Sequence, residues 1–93
     1  MARIEVTSAG GSQFTVRADG HSFSVTATET LVEEMGARDA ETLVRASFDY
    51  LLAREPVTAI LPRFDLGVIE RYHPGWRVAM RRVGVREPFS SDP

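Results

Sequence analysis

The chain has 93 residues, 43% of them hydrophobic and 26% charged, which fits one globular domain and argues against a disordered or membrane-spanning chain. A net charge of -2 argues against a surface that binds nucleic acid broadly. The absence of cysteine excludes disulfides, thiolate catalysis and thiolate metal sites, and the N-terminal stretch has no signal-peptide core, so a cytoplasmic location is predicted.

The first third of the chain alternates between apolar and polar side chains, which is the pattern of β-strands. Three such stretches, ARIEVTS, QFTVRA and HSFSVTA, predict a three-stranded antiparallel meander. Asp19 and Gly20 separate the last two stretches and are typical of a two-residue type I′ turn, whose central residues both need positive φ. This turn predicts a hairpin with one apolar face, built from the pairs Ala18 with His21, Val16 with Phe23, and Phe14 with Val25.

Helices are predicted to cover that apolar face. Thr30 and Glu33 fit a capping box ahead of a short helix that ends at Gly36. Asp39 is the predicted N-cap of a long central helix, DAETLVRASFDYLLARE, which Pro56 stops. The side chains expected to form the buried stripe of this helix are Leu43, Val44, Ser47, Phe48 and Leu51.

The stretch ILPRFDLGVIERYHPGW, residues 60–76, is the richest in functional side chains. Pro56 and Pro62 leave room for one or two helical turns between them. Asp65 suits an N-cap, and Phe64 before it can form a hydrophobic staple with Ile69 at the fourth helical position. A short helix is therefore expected to follow Asp65 and to end at the sequence HPG.

The helix end LLAREP followed by RFDLGVIERYHPGW resembles a group of short uncharacterised bacterial proteins that share the pattern RFDL-x-x-I-x-R-Y-x-P. The resemblance covers about residues 43–76, and apolar and capping positions carry most of it. The chain departs from the group at His73 and Gly75, where an aromatic and an acidic residue are expected. The resemblance implies a bacterial cytosolic protein, and it implies no activity, cofactor or site residue.

Reactive side chains are few, and each has a structural explanation. Glu70 and His73 form an E-x-x-H pair, but a di-iron bundle needs a second such pair, and the other histidine, His21, has no matching glutamate. Ser47 lies on the apolar stripe, where a serine usually bonds to its own helix. No G-x-S-x-G elbow, P-loop or dinucleotide-binding fingerprint is present. The sequence therefore predicts a protein that is not an enzyme and that needs no metal or cofactor.

Positive charge concentrates towards the C-terminus. Residues 1–55 contain five arginines and nine acidic residues, whereas residues 56–93 contain six arginines and four acidic residues. All eleven Lys and Arg positions are arginine. The simplest explanation is biased codon usage, and the alternative is selection for bidentate anion binding. The cluster in the last third is the part of the chain that fits the second explanation.

The segment WRVAMRRVGVR fits either a last strand or a last helix, and it mixes an aromatic residue with arginines. Hot spots of protein interfaces and surfaces that bind nucleic acid both have this composition. A simpler interpretation packs Trp76 and Val78 on the domain and leaves the arginines in solvent. The candidate binding residues are Arg71, Tyr72, Trp76, Arg77, Arg81 and Arg82.

These patterns predict a single α+β domain over residues 1–83 and a disordered tail over residues 84–93. The predicted function is that of a small bacterial binding or accessory module, antitoxin-like in that it acts through a protein partner. Nucleic-acid binding by the C-terminal arginines is the alternative function. A homodimer is compatible with so small a core, and no membrane contact is expected.

Overall fold

The protein is an α+β domain in which helices cover one face of a β-sheet. A computed structural model describes residues 4–82, and the side chains of residues 4–80. Within that range the strands are β1 (Ile4–Gly10), β2 (Gln13–Ala18), β3 (His21–Thr26) and β4 (Arg63–Asp65). The helices are α1 (Glu29–Met35), α2 (Ala40–Leu52), α3 (Ile69–Tyr72) and α4 (Trp76–Arg82), with 3-10 turns at Val57–Ala59 and Leu66–Val68. The predicted α+β class is confirmed, while the tail predicted over residues 84–93 lies outside the described residues.

The hairpin between β2 and β3 has the predicted register. Asp19 has φ 51° and Gly20 has φ 81°, so both centres of the turn have the positive φ that a type I′ turn requires. The cross-strand pairs include Ala18 with His21, Val16 with Phe23, and Phe14 with Val25. The apolar members of these pairs are buried, and they form the floor of the core.

The sheet is larger than the predicted meander. β1, β2 and β3 form the antiparallel meander, and β4 adds to β3 in parallel, so that the strand order is β1-β2-β3-β4. Phe64 pairs with Val25, and the Ser24 N–H donates to the Pro62 carbonyl at 2.8 Å. The sequence did not predict β4 because three residues that closely follow a proline carry too little alternation to indicate a strand.

The central helix is shorter than predicted. α2 begins after Asp39, whose carboxylate accepts the Thr42 N–H at 2.8 Å, so the predicted N-cap is confirmed. The helix has 13 residues and ends at Leu52, not at Glu55, so the prediction of a long helix was wrong. The Arg54 N–H donates to the Leu51 carbonyl three residues back, so the helix tightens and ends before Pro56, whose ring disfavours helical backbone only at Glu55.

The first helix begins two residues earlier than predicted. Its N-cap is Thr28, whose hydroxyl accepts the Leu31 N–H at 3.2 Å, so the predicted capping box of Thr30 and Glu33 was wrong. Starting at Glu29 also places a carboxylate in the first helical turn, where the helix dipole stabilises it. Gly36 ends the helix with φ 67°, as predicted.

The core lies between the sheet and the helices. The predicted stripe of α2 is confirmed, since Leu43, Val44, Ser47, Phe48 and Leu51 are all buried. The ring of Phe48 lies between those of Phe23 in β3 and Phe64 in β4, which are tilted against it with centroids 5.3 Å and 6.0 Å away. No helix within residues 4–82 has the length and apolar character needed to cross a membrane.

Candidate protein-binding groove

Of the predicted binding residues, Trp76 lies in the core. Its side chain is 0% exposed, and its indole N–H donates to the Ser47 hydroxyl at 3.0 Å. The same hydroxyl donates to the sulfur of Met80 at 3.6 Å, so Ser47 joins α2 to α4. The sequence had instead predicted a bond from Ser47 to its own helix. Residues 76–82 of the segment that fitted a strand or a helix form the helix α4, and Trp76 offers no exposed ring for stacking.

Arg77 is occupied by carboxylates. Its guanidinium donates to both carboxylate oxygens of Glu70 at 3.0 Å, and Glu34 lies 4.0 Å away. Hydrogen bonds from Arg77 hold the pKa of the Glu70 carboxyl below its ordinary value. This fork ties the start of α4 to α3, and it leaves Arg77 poorly placed to bind a phosphate group.

The other predicted binding residues divide into two groups. Tyr72, at the end of α3, is 68% exposed, and Arg71 beside it is exposed as well. Arg81 and Arg82 lie in the last turn of α4, and their side chains lie outside the described part of the chain. The structure therefore brings Tyr72 and Arg71 to a surface that is separate from the buried Trp76.

Beside Tyr72 lies an apolar groove of about 230 Å³. The 3-10 turn before β4, the strand itself, α3 and the C-terminal end of α2 surround it. Its apolar lining consists of Leu51, Ala59, Ile60, Leu61, Phe64, Val68, Ile69 and Tyr72. Leu61 is 50% exposed and, like Tyr72, forms an accessible apolar edge of the groove.

One polar pair also lines the groove. His73 Nε2 lies 3.0 Å from a carboxylate oxygen of Glu55, and both side chains are partly buried. The His73 ring meets the Tyr50 ring edge to face, with centroids 5.8 Å apart. The Arg54 guanidinium lies over the same Tyr50 ring, 3.8 Å from its centroid. These contacts fix the position of His73 and connect α2 to the end of α3.

The E-x-x-H pair is split between different partners. Glu70 pairs with Arg77 and His73 pairs with Glu55, so the two side chains serve separate contacts. Among the described residues no group of three histidine, cysteine, aspartate or glutamate side chains is arranged to hold a metal ion. Asp65 caps the turn that precedes α3 by accepting the Gly67 N–H at 3.0 Å, as predicted.

Sequence reasoning missed most of the groove. Leu61 lies in the loop before β4, Phe64 in β4 and Val68 in the 3-10 turn that follows, and only the fold brings them next to Leu51 of α2. The one local signal was Leu61, which is an apolar residue placed directly before Pro62 with no helix or strand to bury it.

No family model, no curated protein and no solved structure matches this chain. The resemblance to the RFDL-x-x-I-x-R-Y-x-P proteins therefore stays a prediction.

Proposed function

We propose that the protein is a non-catalytic binding module that acts through a protein partner, and that the partner's contact surface is the apolar groove beside Tyr72. The observation that carries the proposal is the pairing of an open apolar groove with two exposed apolar edges, Leu61 and Tyr72. Tyrosine is enriched at the energetic centres of protein interfaces, because it buries a large apolar area and keeps a polar tip.

The size of the groove favours a single side chain of a protein partner over a small-molecule ligand. Pockets that enclose a small molecule usually have roughly 300–1,000 Å³ and bury most of the ligand. The groove has about 230 Å³ and is open to solvent, which suits one large apolar side chain of a partner. A non-catalytic role is also supported by the scarcity of carboxylates there: among the described residues only Glu55 lines the groove, where it contacts His73, and Asp65 and Glu70 do not line it.

Nucleic-acid binding by the C-terminal arginines remains the alternative. Trp76 is buried and Arg77 is paired with Glu70, so neither supports it. An acidic surface at Glu29, Glu33 and Asp39 would also repel a polyanion. Phosphate binding would weaken steeply with salt, whereas an interface based on buried apolar area would not.

The experiment compares capture of a partner by three tagged forms of the full chain from bacterial lysate, with and without nuclease treatment. The forms are the wild type, a groove variant that combines Leu61→Gln with Tyr72→Gln, and a control variant, Val78→Gln. Val78 is a matched control because it is 57% exposed on α4 and does not line the groove. We expect one partner to be retained by the wild type and the control and to fall at least roughly tenfold in the groove variant.

Equal capture by all three forms would show that the groove is not the contact surface. Loss of the partner on nuclease treatment, together with steep salt dependence, would favour the nucleic-acid alternative. A second copy of the chain as the retained protein would identify a homodimer, which sedimentation of the wild type and the groove variant can then measure.

A further inference from the structure

We propose that the partner contributes an extended, acidic segment that adds as a strand to the free edge of β4 and places an apolar side chain in the groove. This inference rests on the proposed function, and it names the chemistry of the partner. Strand addition draws affinity from main-chain hydrogen bonds and specificity from alternate side chains.

The first support is the backbone of β4. The Ser24 N–H donates to the Pro62 carbonyl, and Ser24 lies opposite Arg63 in the parallel ladder. In such a ladder Ser24 bonds to the residues on either side of Arg63, so the N–H and C=O of Arg63 point away from β3. Neither group is paired among the described residues, and Leu61, Pro62 and Arg63 are all exposed. A donor and an acceptor therefore face the open edge.

The second support is the direction of the side chains. Phe64 lies on the helix-covered face, where it contacts Phe48 and lines the groove. Arg63 precedes it in the strand, so its side chain lies on the opposite, polar face of the sheet. An added strand would alternate in the same way, with one set of side chains over the groove and the other set beside Arg63.

The third support is charge. The three carboxylates between residues 50 and 75 are occupied, Glu55 by His73, Asp65 by the Gly67 N–H and Glu70 by Arg77. Arg63 and Arg71 have no carboxylate partner among the described residues. Hydrogen bonds leave the charges of Glu55 and Asp65 in place, so the complement to an acidic segment is local. It is the Arg63 guanidinium on the free edge, which can pair with a carboxylate of an added strand.

An edge strand with a charged side chain resists pairing with most other strands. Arg63 would repel a basic segment and would give a neutral one no ion pair. A segment in which acidic residues alternate with apolar ones offers both a partner for the Arg63 charge and an apolar side chain for the groove. The occupant should therefore have a period of two, with a carboxylate beside Arg63 and an apolar side chain over the groove.

The probe is a fluorescently labelled seven-residue peptide in which glutamate alternates with leucine, and the control peptide has lysine in place of glutamate. Binding to the full chain is measured by fluorescence anisotropy. We expect the glutamate peptide to bind at least roughly tenfold more tightly than the lysine peptide, and the difference to shrink as salt rises.

Two variants of one residue separate the backbone from the side chain. Arg63→Ala removes the charge and keeps the N–H, whereas Arg63→Pro removes both, and proline is tolerated on an edge strand. We expect Arg63→Ala to weaken binding and remove most of its salt dependence. Arg63→Pro should weaken binding by roughly a further fivefold or more, because one main-chain hydrogen bond is lost.

Amide hydrogen exchange in the wild type gives a measurement that does not depend on folding of the proline variant. We expect the glutamate peptide to slow exchange of the Arg63 N–H. Binding that leaves this amide unchanged would overturn strand addition but would leave the groove as a contact surface. Failure of the glutamate peptide to bind, or equal binding of both peptides, would also overturn the inference. The proposed function is tested separately by the partner capture at Leu61 and Tyr72.

Discussion

At the scale of single residues, the contact between Ser47 and Trp76 explains how a polar group is accommodated in the core. Both side chains are 0% exposed, and the serine hydroxyl accepts the indole N–H at 3.0 Å while it donates to Met80. A buried donor without a partner loses its hydration and gains nothing in return. A small residue at position 47 also leaves space for the indole ring. Ser47 is therefore a structural residue.

Replacing Ser47 with alanine should destabilise the domain by about 1–3 kcal/mol, because the Trp76 N–H is left buried and unpaired. The measurement is the free energy of unfolding in urea. Trp76→Phe serves as the second arm, since phenylalanine has no N–H to satisfy. The double variant Ser47→Ala, Trp76→Phe should lose less stability than the sum of the losses in the two single variants. Additive losses would mean that the hydrogen bond does not stabilise the core.

At the scale of secondary structure elements, the β2–β3 hairpin sets the register of the sheet. Its two-residue turn places four large apolar side chains on one face, and a shift of one residue would place them in solvent. Gly20 holds φ 81°, a conformation that β-branched residues avoid. The turn therefore determines which face of the sheet the helices cover.

Gly20→Val should destabilise the domain by about 1–3 kcal/mol, because valine resists positive φ. Nothing lies within 4 Å of the position that a Cβ would occupy at Gly20, so the loss would come from the backbone and not from a clash. Gly20→Asn is the control, since asparagine tolerates this conformation. Thermal unfolding of both variants distinguishes the two effects, and equal midpoints would contradict the argument.

At the scale of the whole molecule, one core joins elements from both ends of the chain. Phe48 of α2 lies between an aromatic ring of β3 and one of β4, while α4 packs on the same helix through Trp76 and Met80. A domain of this size has little stability to spare. Loss of one central side chain should therefore affect every element together.

Phe48→Ala should cost about 3–5 kcal/mol, which is enough to unfold much of the population. Phe48→Leu keeps most of the volume and should retain the fold at a smaller cost. The exposed Val78 provides a control, because Val78→Ala should change stability by no more than about 0.5 kcal/mol. Circular dichroism during urea unfolding gives all three values. A near-native midpoint for Phe48→Ala would contradict a shared core.

Local patterns were sufficient wherever neighbours in sequence are also neighbours in space. The hairpin register, the Asp39 and Asp65 caps, the end of α1 at Gly36 and the buried stripe of α2 all follow from contacts over a few residues. They failed at the Thr28 cap, where Thr28 and Thr30 both offer a capping hydroxyl, and at the end of α2. Helix ends are the least determined features of a sequence.

Of the candidate binding residues, the sequence identified Tyr72 and Arg71 as members of a dense segment, but it left open whether Trp76 packs on the domain or binds a partner. Tryptophan is compatible with an interface and with a core. Its burial in a core depends on whether another element supplies a hydrogen-bond partner for the indole N–H. Here Ser47 supplies it from a helix 29 residues earlier in the chain.

By itself, the sequence determined the α+β class, the meander and its apolar face, because alternation, turn residues and caps act over a few residues. The tertiary structure decided the rest. It added β4 beside β3, it buried Trp76, and it assembled the groove from α2, α3 and the chain around β4. Each of these depends on contacts between residues far apart in the chain, and the free energy of such contacts comes from burial that no local pattern specifies.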